Sequence, residues 1–113
     1  MKVIIAGSRS IDNYNLLLEA IQESKFNITT VISGAATGVD YLGERYAQEH
    51  SLPVKQYMPK WKELGEHAEE MRNCDMAADA DACLVIWDGS SPGTKSLIIQ
   101  AAKRNIPIFV KTI

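Results

Sequence analysis

The sequence predicts an α/β fold built on a parallel sheet, and two observations carry the prediction. Short, β-branched apolar runs alternate with segments of helical periodicity along the whole chain. Three glycine-bearing turns each stand between an apolar run and a helical pattern: Gly7-Ser8-Arg9, Ser33-Gly34-Ala35-Ala36-Thr37-Gly38-Val39-Asp40 and Trp87-Asp88-Gly89-Ser90-Ser91-Pro92-Gly93-Thr94. Turns of this kind leave backbone N–H groups free at a helix start, where the helix dipole stabilises an anion. In a parallel sheet all three lie at one edge, the edge at which open α/β folds bind ligands.

The elements follow in order. Lys2–Ala6 is a continuously apolar run, the pattern of a strand covered on both faces. From Asn13 to Lys25, Leu16, Leu17, Ala20 and Ile21 recur at helical spacing, with Asp12 or Asn13 as the cap. Thr29–Ser33 is the second strand. Val39–His50 is a helix with Leu42, Tyr46 and Ala47 on one face, and Pro53–Met58 is a third strand stopped by Pro59. Lys60 to about Asp79 is polar and helix-favouring, with Gly65 as a break. Ala82–Trp87 is the fourth strand, Thr94–Arg104 a helix ended at Asn105, and Ile106–Val110 the fifth strand. This alternation implies right-handed crossovers between parallel strands.

Length and composition set the class. A chain of 113 residues, 46% of them hydrophobic, forms one domain over residues 1–113 with a core of ordinary size. No apolar run reaches the roughly 18 residues of a membrane span. The opening Met1–Ala6 is too short for a signal h-region and runs straight into the first turn, so a cytoplasmic protein is expected. A net charge of -2 gives no electrostatic attraction to duplex nucleic acid, although a small anion needs only one or two Arg and a few N–H groups. Cys74 and Cys83 show neither metal nor redox spacing, and Cys83 falls inside the fourth apolar run as a small hydrophobe.

The turns supply the candidate binding residues. Gly7 lets a ligand approach the backbone, and Ser8 and Arg9 can hydrogen-bond a phosphate. Gly34 and Gly38 flank small residues that leave the loop backbone open, while Asp40 either bonds a ribose hydroxyl or caps the helix. In the third turn Gly89, Ser91, Gly93 and Thr94 can donate to a phosphate or a ribose. A P-loop is excluded there, because three residues rather than four separate Gly89 from Gly93 and Thr94 precedes Lys95. The dinucleotide fingerprint G-x-G-x-x-G is absent from all three turns. Arg72 and Asn73 lie in a segment that can reach over the strand ends and join the site. Glu63, Glu66, Glu69 and Glu70 read as a solvated face, His50 and His67 as solvated histidines, and Trp61 and Trp87 as buried aromatics. No metal set, nucleophile elbow or cofactor signature appears.

Taken together, Gly-Ser-Arg after the first strand, Ser-Gly-Ala-Ala-Thr-Gly-Val-Asp after the second, Pro59-x-Trp61, Arg72-Asn73-x-x-Met76, Ala78-Asp79-Ala80 and Trp87-Asp88-Gly89-x-Ser91-x-Gly93-Thr94 resemble the YspA/YpsA-related branch of the SLOG superfamily over nearly the whole chain. The resemblance implies a Rossmann-like fold that binds nucleotides or nucleotide-derived ligands such as NAD- or ADP-ribose-like molecules. It implies a site of Gly7, Ser8, Arg9, Gly34, Gly38, Asp40, Arg72, Asn73, Gly89, Ser91, Gly93 and Thr94, and, by superfamily habit, a homodimer. Two departures stand out. Many relatives have Gly-Gly where this chain has Gly34-Ala35; Ala35 is accommodated only at negative φ, so the loop is expected to sit differently. LOG-type nucleoside-phosphate phosphoribohydrolases carry Pro-Gly-Gly-x-Gly-Thr-x-x-Glu at the third turn, and Leu97 stands here at the glutamate place. The missing carboxylate argues against that activity.

The expected architecture is therefore a three-layer α/β/α sandwich with strand order 3-2-1-4-5 and a site between the first and fourth strands. The expected function is binding of a nucleotide-like small molecule. Two alternatives remain: a hydrolase acting on an N-glycosidic or phosphate bond of such a ligand, and a DNA-processing accessory by analogy with the DprA relatives of the superfamily.

Overall fold

The computed structural model describes residues 1–113. Five parallel strands, β1 (Lys2–Gly7), β2 (Thr30–Ser33), β3 (Val54–Gln56), β4 (Ala82–Trp87) and β5 (Ile108–Thr112), form one sheet in the order β3-β2-β1-β4-β5. The helices are α1 (Tyr14–Ser24), α2 (Val39–Glu49), the single turn α3 (Trp61–Leu64), α4 (Ala68–Asp79) and α5 (Pro92–Lys103), with a 3₁₀ turn over Gly65–His67. The three-layer α/β/α, Rossmann-like arrangement expected from the sequence is thus the observed one.

The central strands are apolar on both faces because both faces are covered. On one face Val3, Ile5, Leu84 and Ile86 pack with Leu17 and Ala20 of α1 and Val39, Leu42 and Ala47 of α2. On the other, Ile4, Ala6, Cys83 and Val85 pack with Met76 of α4 and Leu97 and Ala101 of α5. Alternate residues of one strand therefore feed two cores. Burial pushes the Cys83 thiol up to about 12, which makes it an inert filler.

Local chemistry sets the element ends. Asn13, not Asp12, caps α1, its side chain accepting from Leu16 N at 3.3 Å. Helix α5 starts two residues before the expected Thr94, because Pro92 at its first position needs no N–H acceptor and has its φ preset. Strand β5 runs two residues later than expected. Cys83 N donates to Pro107 O at 2.9 Å, and pairing proper begins at Ile108. Gly65, at φ +55, breaks the polar segment where the sequence placed a break. Trp61 departs from its expected burial: α3 is one turn long with no buried residue, and the indole is 53% exposed. Trp87 is half-buried.

At the end of α4 far from the strand C-termini, Asp79 accepts from Lys2 Nζ at 2.7 Å, Lys55 Nζ at 2.5 Å and Tyr57 Oη at 2.7 Å. These three donors hold its carboxyl well below the usual carboxylate range. A depressed folded-state pKa contributes stability above the unfolded value near 4 and loses it as pH falls below that value. Asp79→Asn is accordingly expected to lower Tm at pH 7 and to flatten the acid limb of stability below about pH 4. Thermal unfolding of both proteins from pH 2.5 to 7 checks this; parallel acid limbs would refute it.

Candidate functional site

The sheet order reverses between β1 and β4, and a cleft opens there at the strand C-termini, as the topology demands. Its volume is about 330 Å³. Eight of the twelve residues expected at the site line it: Gly7, Arg9, Asp40, Arg72, Asn73, Ser91, Gly93 and Thr94. They come from the β1–α1 turn, α2, α4 and the start of α5.

The other four, Ser8, Gly34, Gly38 and Gly89, stand off the cleft wall, and three of them build it from behind. Ser8 is 1% exposed; its N–H donates to Ile86 O at 3.1 Å and its hydroxyl accepts from Asp88 N at 3.0 Å. Gly38 lies so close to the first turn that a Cβ there would stand 2.4 Å from Ser8 O. Gly34 supplies its carbonyl to Arg72 Nη1 at 2.6 Å, and a Cβ on it would fall 2.5 Å from that nitrogen. Gly89 takes φ +87 at an exposed bend with open space around it.

Ala35 overturns the expectation of a negative φ. It sits at φ +61, in the left-handed region, with its N–H donating to Ser33 Oγ at 3.0 Å. The loop thus keeps a glycine-type conformation and carries the steric cost of a Cβ there, of order 1 kcal/mol. Holding that bend is what lets Ala36 N reach Asp40 Oδ2 at 3.3 Å.

The sequence reading also missed Glu69. Rather than facing solvent, it lines the cleft and pairs with Arg9, Oε1 to Nη2 at 2.6 Å. Glu69, Arg72, Asn73 and Met76 all line the cleft, and their spacing of three, four and seven residues marks one face of α4. The same spacing on α5 brings in Leu97 beneath Gly93 and Thr94. That shared face was the available signal.

The donors on this wall are only partly used. Arg72 gives Nη1 to Gly34 O and Tyr57 O and Nε to Asn73 Oδ1, makes no ion pair within 4 Å, and leaves Nη2 without an acceptor. Its burial holds its pKa below the ordinary arginine value, with Asp40 and Glu69 opposing. Asn73 Nδ2 donates to Gly93 O at 3.2 Å and fixes α4 against the start of α5. Ser91 occupies the N-cap place of α5 without capping it; its hydroxyl accepts from Thr94 Oγ1 at 3.2 Å. The first intrahelical bond, Lys95 N to Ser91 O, leaves the amides of Gly93 and Thr94 unpaired. Asp88 instead orders the turn, accepting from Ser90 N and Ser91 N, which lowers its pKa.

Asp40 is the buried carboxylate of the site, 6% exposed, and the Ala36 amide is its single hydrogen-bond partner. Desolvation pushes its pKa up to about 6, against the Ala36 bond and the charges of Arg72 and Arg9. A raised folded-state pKa means the folded protein holds this proton more tightly than the unfolded chain, so stability falls as pH rises from about 4 to about 6. Each unit is worth about 1.4 kcal/mol. Asp40→Asn is expected to remove that decline and to melt above the parent at pH 8. Thermal unfolding at pH 4.5 and 8 checks it, and an unchanged decline in the variant would refute it.

Comparison with known proteins places this arrangement. The model of the family described as YspA, cpYpsA-related SLOG matches residues 1–64, which carry the first two turns. The Gene 61 protein of Mycobacterium phage D29 is 28% identical over 118 residues, spanning 96% of this chain and 94% of that protein. The X-ray structure of DNA processing protein A (DprA) from Streptococcus pneumoniae superposes with a TM-score of 0.76 at 18% identity. That match covers 96% of this chain and 49% of the DprA chain, and it speaks for the fold. No helix is long and apolar enough to cross a membrane.

Proposed function

The chain belongs to the YspA, cpYpsA-related SLOG family, and we propose that it binds a nucleotide or an NAD- or ADP-ribose-derived small molecule in the cleft between β1 and β4. The observation that carries this reading is the set of unspent donors on one wall: Arg72 Nη2 and the amides of Gly93 and Thr94 at the start of a twelve-residue helix. Donors of this kind around a helix N-terminus match a phosphate. Asp40, Asn73 and Ser91 supply the acceptors and donors suited to ribose hydroxyls. The volume lies at the lower end of the range of small-molecule sites, about 300–1,000 Å³, and suits a mononucleotide-sized body.

A hydrolase acting on such a ligand is the second reading, and Asp40 is the observation that favours it. A buried carboxylate that takes and gives a proton near pH 6 is suited to general acid–base work. DNA handling, suggested by the likeness to DNA processing protein A, is opposed by the net charge of -2.

A thermal-shift screen against AMP, ADP, ATP, NAD, ADP-ribose and cyclic nucleotides tests the reading. A ligand at a hundred times its Kd adds about 2.7 kcal/mol, a rise of several degrees in a domain of this size. The expected result is a rise with a subset of these compounds, lost in Arg72→Met. A flat response to all of them contradicts the proposal. Chromatography of the stabilising compound afterwards separates binding from turnover, which Asp40→Asn is expected to abolish if it occurs.

A further inference from the structure

Glu69 holds a position that the cleft chemistry does not require of a surface acid. Its Oε1 accepts from Arg9 Nη2 at 2.6 Å, and its Oε2 lies 3.5 Å from the point where a Cβ would stand on Gly93. A negative group thus sits between Arg9 and the start of α5, inside the cleft. It engages few of the donors around it. The amides of Gly93 and Thr94 and Arg72 Nη2 make no hydrogen bond to it; Oε1 is spent on Arg9, and Oε2 faces the start of α5 without a partner.

We infer that the Glu69 carboxylate occupies, in the free protein, the subsite that takes the terminal phosphate of the ligand. This rests on the reading of the cleft as a nucleotide site and adds to it a position for the phosphate and a ligand class, phosphomonoesters and pyrophosphates. Such a group offers three terminal oxygens and up to two charges in tetrahedral array. It meets Arg9, Arg72 Nη2 and the α5 amides together, where a planar carboxylate meets one of them. Displacing Glu69 is cheap. Its side chain is 30% exposed, that of Arg9 is 65% exposed, and an ion pair so open to solvent is weak. Glu69 lies in the first turn of α4, where a rotamer change carries the carboxylate out to water without moving the helix. Until then it keeps Arg9 over the cleft and balances its charge.

Calorimetric titration of the full chain with AMP and with inorganic pyrophosphate tests this in three proteins: the parent, Glu69→Gln and Glu70→Gln. Glu70 is the adjacent acid, off the cleft wall, and its variant carries the same change in net charge. Glu69→Gln is expected to bind both probes about fivefold tighter, the worth of one exposed ion pair. Glu70→Gln is expected to change affinity less than about twofold, since its charge acts through screened solvent. Equal affinity of the parent and Glu69→Gln, or an equal gain in Glu70→Gln, overturns the assignment of Glu69 and leaves the nucleotide reading standing. Failure of all three folded proteins to bind either probe overturns the phosphate subsite, while the nucleotide reading falls only with a flat response across the thermal-shift series.

Discussion

The three turns at the strand C-termini are tied to one another through Ser8. Its N–H bonds Ile86 O, its carbonyl accepts from Ile11 N and Val39 N at 3.4 Å each, and its hydroxyl accepts from Asp88 N. One buried residue therefore ties the first turn to the second and third. The bonds require the backbones to approach closely. A Cβ on Gly7 would stand 1.9 Å from Ile86 O, and one on Gly38 would strike the backbone of Ser8 and Arg9. Two of the chain's glycines are therefore spent on bringing turns together, which leaves the wall of the cleft to side chains and helix ends.

That wall carries its own electrostatic logic. Two arginines and the open starts of α2 and α5 are faced by two carboxylates, Asp40 within the wall and Glu69 at its edge. The carboxylates differ in kind. Asp40 is held in place by burial and the Ala36 amide, and its proton affinity rises accordingly. Glu69 is held only by Arg9. One is built into the fold and the other is held by a single exposed ion pair, a division that suits the anion-binding role we propose for the cleft.

Much of this was legible in the sequence. The strands β1 and β4 announced themselves as nearly unbroken apolar runs because burial on both faces leaves little place for polar side chains in them. The turns announced themselves because glycine is what close backbone approach demands. Two things were less legible. Whether a turn residue faces the ligand or the fold behind it depends on the relative height of three loops, which separates Ser8 from Arg9 although they are neighbours in sequence. The acids of residues 63–70 look like one solvated face until the bend at Gly65 resets the helical phase, after which Glu69 falls in line with Arg72, Asn73 and Met76. Ala35 shows the converse: a residue type that argued for one backbone conformation was overruled by the hydrogen bonds to Ser33 and Asp40 that its loop makes.

The central claim is that the unpaired amides at the start of α5 take an anionic group of a nucleotide. Following the backbone amide resonances of a ¹⁵N-labelled chain during titration with AMP tests it most directly. The account predicts saturable shifts that are largest at Gly93 and Thr94, with Arg9 and Asp40 following the same curve. Saturable shifts confined to a different face, or none at these four residues at millimolar AMP, would contradict it.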